Sequence, residues 1–164
     1  MEAFPAGDYL TGRNHEVKRM EGFMGSSPSE SASLNAEDFF RGLIAALGVH
    51  GQNRLGASQP DFHRAFHRII KELRRPEVRN ELTVDLLGVD YDPLYGLSGW
   101  FDRALTRAQR DLLVSFPNPS YDLIEIAVKK DEGEKILSQL GHEGLFLRLA
   151  DLFRRTATEP AVGP

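Results

Sequence analysis

Apolar residues recur at helical spacing in four long stretches and one short stretch of this chain, and those stretches set the expected fold. Phe39, Phe40, Leu43, Ile44 and Leu47 share one face. Asn35 stands where its side chain would cap that helix, and Asp38 places a carboxylate near the positive helix end. Gly48 is expected to end it as a left-handed terminator. Phe62, Phe66, Ile69, Ile70 and Leu73 mark a second helix, with Ser58 as cap, Pro60 in the first turn, Asp61 at the capping-box position and Pro76 closing it. Leu97, Phe101, Leu105, Ala108 and Leu112 predict a third from about Ser98 that ends before Pro117, although Thr106 followed by Gln109 would also suit a break. Leu145, Phe146, Leu149, Leu152 and Phe153 predict a last helix over 143–155, with Arg148, Arg154 and Arg155 outward. Ahead of it Ile136, Leu137 and Leu140 make a short helix ended by Gly141.

The period changes at 112–128. Two apolar runs flank a Pro and Asn turn at 117–120, and Ile124, Ile126 and Val128 alternate with Glu125 and Ala127. Alternation with β-branched residues predicts a hairpin; Leu123, Ile126 and Ala127 also fit a helix from Ser120, which keeps an all-α bundle as the alternative. The short run at 82–89 suits helix or strand, and a helix breaking at Gly88 is preferred; Asp92-Pro93 and Tyr95-Gly96 then form turns. The expected fold class is therefore mainly α, a helical domain with one β-hairpin. Residues 1–34 read as an N-terminal tail with a linker-like run at 25–31, 35–156 as one globular domain, and 157–164 as a polar C-terminal tail. Within the first tail, Phe23 and Met24 are an apolar insert that a partner could hold, against the plainer reading of inert tail residues.

Composition narrows the function classes. With no cysteine among 164 residues, disulfides, thiolate metal sites and cysteine nucleophiles all drop out, and the cytoplasm is the expected compartment. No stretch approaches the roughly 20 apolar residues of a membrane span, and the N-terminus lacks a basic region followed by an apolar run. A formal net charge of -4 offers no global attraction to phosphate, so nucleic-acid binding would need a local basic patch.

Two such patches are written into the helices. Arg64, Arg68, Lys71 and Arg75 form one ridge opposite the apolar face of the second helix. Residues 61–75 hold five basic side chains against two acidic, and pairing with the acidic stretch after Pro76 is the equally weighted structural account. Arg103, Arg107 and Arg110 form the second ridge, on the third helix, with Trp100 on the same stripe.

The order helix, helix, short element, helix, hairpin, helix resembles that of winged-helix domains. The resemblance lies mainly in 98–140, about a quarter of the chain, and is one of pattern. It implies that Arg103, Arg107 and Arg110 would meet a DNA groove or phosphates and that 118–121 would be the wing tip. The sequence departs from the family in having no Lys or Arg at that tip and an acidic segment ahead of the helix.

Catalytic patterns are sparse. His63 and His67 stand four apart, a metal-binding spacing on a helix, but Arg64 occupies the place of a catalytic Glu and no third ligand is evident; solvent-facing histidines are the expected account. Asp85, Asp90 and Asp92 lack calcium-loop spacing and read as surface and turn residues, and His142-Glu143 reads as a cap region. No phosphate-binding glycine loop and no Gly-x-Ser-x-Gly elbow occurs. The expectation is a non-enzymatic binding or regulatory module, without cofactor, that engages a protein partner, DNA, or both within a complex. A helical adaptor subunit anchored by Trp100 and Tyr95 is the alternative, and a small enzyme using His63 or His67 with an acidic residue is the third reading. Homo-oligomerisation stays open.

Overall fold

A computed structural model of the chain describes residues 33–51, 57–92, 95–117 and 123–158, all within one unit, Ser31–Pro164. The expectations for Phe23, Met24, the 25–31 linker, the 118–121 wing tip and residues 159–164 lie outside the described residues, as does the side chain of the expected cap Ser58. The fold is mainly helical with small sheets. Its elements run β1 (Ser33–Asn35), α1 (Ala36–Val49), β2 (Ala57–Ser58), α2 (Gln59–Leu73), α3 (Pro76–Glu81), β3 (Thr83–Asp85), α4 (Gly99–Arg110), β4 (Val114–Ser115), β5 (Leu123–Ile126), α5 (Lys130–Leu140) and α6 (Glu143–Thr158).

α1 is the central element. From Gly42 to Gly48 every residue is buried, because this run carries no polar side chain and a helix apolar on all sides must be covered on all sides. Its start is as expected: the Asn35 side chain accepts the Asp38 N–H at 2.8 Å. Its end is not. The helix runs through Gly48 to Val49, and the left-handed residue is Gly51, at φ 72°. Gly48 serves packing instead, since a Cβ there would lie 2.6 Å from the Val128 carbonyl oxygen.

α2 ends at Leu73, and Pro76 opens α3 at its first turn rather than closing α2. Phe62 of α2 packs edge-on against Phe153 of α6, and Phe39 of α1 stacks on Phe146 of α6 with centroids 5.7 Å apart. At 82–89 the preferred helix does not form: a short helix, α3, ends ahead of it at Glu81, and the run itself holds the strand β3, which pairs in parallel with β1, Ser33 to Thr83 and Asn35 to Asp85. This pairing draws 33–34 out of the presumed tail. At the other end α6 continues to Thr158 with Ala157 buried, so the C-terminal boundary at 157 also moves outward.

The hairpin is present. β4 pairs antiparallel with β5, Val114 to Ile126, and β2 adds on the other side of β5 to give the order β2-β5-β4. α4 continues through Thr106, whose hydroxyl donates to the Asp102 carbonyl. Leu97 and Leu112, expected inside, are 42% and 79% exposed. Leu112 takes φ 58° because it occupies the left-handed position of a Schellman stop: Leu112 N–H donates to Gln109 and Leu113 N–H to Ala108. α5 begins at Lys130, earlier than Ile136 suggests, and Gly141 at φ 74° ends it. The His142 carbonyl then takes the N–H groups of Leu145 and Phe146 at the start of α6.

Candidate binding groove

α4 carries the residues on which the functional expectations converge. Ser98 caps it, its hydroxyl oxygen accepting the Phe101 N–H at 3.1 Å. Phe101, Leu105 and Ala108 are buried. The opposite stripe therefore has to face outward, and Arg103, Arg107 and Arg110 are all exposed.

Beside that stripe runs a groove of about 940 Å³ between α1, α4 and α5. Phe40, Trp100, Ala104, Leu113 and Ile136 supply apolar lining; Arg41, Arg103, Arg107, Arg110 and Lys135 supply positive charge, interleaved with Glu37, Asp38, Asp111 and Glu132. Arg107 pairs with Glu37 across the groove. Trp100 is neither a free interface residue nor fully core. It is half-buried, stacked on Phe66 with centroids 5.5 Å apart and edge-on to Phe40, and it also lines the groove. Tyr95, the other expected anchor, is 72% exposed and is not among the lining residues.

The α2 ridge does not join this groove. Arg68, Lys71 and Arg75 are exposed, while half-buried Arg64 pairs with Asp61 and reaches the Thr156 carbonyl of α6. Arg75, just past the end of α2, pairs with Glu72 of that helix, and Glu81 of the acidic stretch pairs with Arg148 of α6.

The histidines are not the solvent-facing pair expected. His63 is fully buried: its Nδ1 accepts the Ser98 backbone N–H at 2.9 Å and its Nε2 lies 3.2 Å from Asp102 Oδ1. His67, one turn on, stacks on Tyr91 with centroids 3.7 Å apart. The two rings thus serve different neighbours, and no cluster of three or more metal-ligating side chains occurs among the described residues. Burial lowers the pKa of both. For His63 the Asp102 carboxylate opposes that shift; for His67 the Lys71 and Arg74 cations reinforce it. Ser98, His63 and Asp102 are the residue types of a hydrolase triad, but it is the Ser98 amide that meets the imidazole, while its hydroxyl caps α4 and donates to Asp90 at 3.4 Å. This trio is therefore a helix anchor. Its partners lie 35 and 39 residues apart in the chain, which no spacing rule would connect.

Asp90 completes the anchor. Its carboxylate accepts the Trp100 N–H at 2.9 Å, and that bond holds its pKa below the usual value. A residue expected to be mere surface charge thus caps α4 from outside.

No helix among the described residues is long and apolar enough to cross a membrane. Comparison with protein-family models, curated proteins and solved structures finds no match for this chain.

Proposed function

We propose that this chain is a non-enzymatic binding or regulatory module, winged-helix-like in its order of elements, that engages a protein partner through the groove between α1, α4 and α5. The observation that carries the reading is the convergence of Trp100, Arg103, Arg107 and Arg110 on one groove with apolar lining. Trp and Arg are the side chains most enriched among interface anchors. Ligand pockets run roughly 300–1,000 Å³, so the volume suits a few partner side chains. Interleaved acidic and basic groups favour a partner of mixed charge over a uniformly negative phosphate backbone. The α2 ridge lies outside the groove and adds no continuous basic surface to it.

A photo-crosslinking residue placed at Ala104, in the groove, and separately at Lys71, on the α2 ridge, tests this in cells. A defined protein adduct at position 104, absent at 71 and suppressed by Arg103→Glu, is expected. Equal labelling at both positions, or none at 104, overturns the reading.

DNA is the second reading, favoured by the three exposed arginines of α4 immediately ahead of the β4–β5 hairpin. It expects low-salt DNA binding that Arg103→Ala and Arg107→Ala weaken, each lowering the salt slope by about 1. Undiminished binding by the double variant, or none by the parent chain, removes it.

A further inference from the structure

The buried imidazole of His63 ties α2 to the backbone at Ser98, the residue that caps α4, and its chemistry makes that contact conditional. A backbone amide can only donate, so Nδ1 must be the unprotonated nitrogen and the ring proton sits on Nε2, directed at Asp102 Oδ1. The neutral ring satisfies both neighbours. A second proton, taken from water onto Nδ1, would set an N–H donor against the Ser98 N–H donor at 2.9 Å. The added charge would also sit in a fully buried position beside the positive end of a helix.

We propose that His63 is an acid-released latch: protonation of Nδ1 frees the first turn of α4 from α2 and lets the helix bearing Arg103 and Trp100 shift. The inference goes beyond the proposed function and holds whatever the groove binds.

The charged groups around the ring have assigned places. From α4, Asp102 faces Nε2 and favours the protonated ring; it is 47% exposed, so water screens it. From the segment before α4, Asp90 is held by Ser98 and Trp100. On α2 itself, His67 stacks on Tyr91, and Arg64 is engaged with Asp61 and with Thr156 of α6. The ring of Phe101 covers His63 edge-on, with centroids 4.9 Å apart. Burial outweighs the Asp102 carboxylate, which places the titration below the ordinary histidine range.

Amide hydrogen exchange of Ser98 and Trp100 fluorescence, followed from pH 8 to 4.5 in the full chain, test the latch. The protection factor of Ser98 should be level near pH 8 and fall, by up to about tenfold per pH unit, as pH drops from the ordinary histidine value of 6.5 toward the depressed value of the latched ring, as for one proton coupled to opening. His63→Asn offers an amide oxygen in place of Nδ1 and does not titrate, so the acid limb should vanish. Asp102→Asn removes the carboxylate that favours the imidazolium in the latched state, so the limb should extend to lower pH before levelling off; this arm decides the matter if His63→Asn fails to fold. His67→Asn should leave the limb in place. An acid limb unchanged in His63→Asn or in Asp102→Asn, or abolished by His67→Asn, overturns the proposal, as does a level Ser98 protection factor throughout.

Discussion

Gly133 of α5 crosses α1 so closely that a Cβ on it would stand 2.6 Å from the carbonyl oxygen of Ala45 and 2.9 Å from Cγ2 of Val49. The obstacle is backbone, which cannot rotate away as a side-chain tip can. Gly133→Ala should therefore destabilise the fold by about 1–3 kcal/mol, the usual cost of overpacking, even though alanine is the better helix former. Urea unfolding of the variant beside Ser138→Ala, on the exposed side of the same helix, measures it.

Trp100 and Tyr95 should behave oppositely. Trp100→Ala removes a ring stacked on Phe66 and edge-on to Phe40, an expected loss of about 2–4 kcal/mol, reduced from the fully buried case because the ring is only half-buried. Tyr95→Ala should stay within about 0.5 kcal/mol, as an exposed substitution does. Thermal unfolding of the two variants makes the comparison.

Leu112 holds a left-handed backbone that costs a side-chain-bearing residue roughly 1–2 kcal/mol, while its side chain, 79% exposed, returns little burial. Leu112→Gly should raise stability by about 1 kcal/mol, visible as a higher unfolding midpoint in urea with an unchanged slope. Leu112→Val, branched at Cβ, should lower it.

Asp90 ties stability to acid. Its pKa is depressed by the Trp100 N–H, so the carboxylate contributes stability that is fully present above the usual value of 3.8 and lost as pH falls through the depressed folded value. Asp90→Asn should lower the unfolding midpoint at pH 7 and flatten its dependence below pH 3.8, read by circular dichroism melts across that range.

Much of the helical framework was legible because it is local. The Asn35 and Ser98 caps reach only three residues along the chain, and the apolar stripes of α1, α2 and α6 repeat within single helices. The alternation at 124–128 likewise announced β5. At 82–89 the same reasoning failed, since so short a run takes its state from whatever pairs with it, here β1.

The groove was half legible. Arg103, Arg107, Arg110 and Trp100 share a stripe that helical periodicity predicts, but Arg41, Lys135 and Glu37 join them from two other helices. Glycine and histidine were harder still. Gly48 and Gly133 resemble turn or loop glycines until the backbones of Val128 and Ala45 are seen against them. His63 reads as a solvent-facing histidine until the Ser98 amide closes on it.

On its own, then, the order of residues sets where α1, α2, α4 and α6 begin, which of their faces are apolar and that a hairpin follows the arginine-bearing α4, because those preferences act between neighbours a few residues apart. The roles of Gly48, Gly133, Asp90 and His63, and the separation of the two basic ridges, came from packing. Each depends on which distant backbone arrives beside the residue, and burial then converts an ordinary side chain, or the lack of one, into a specific contact.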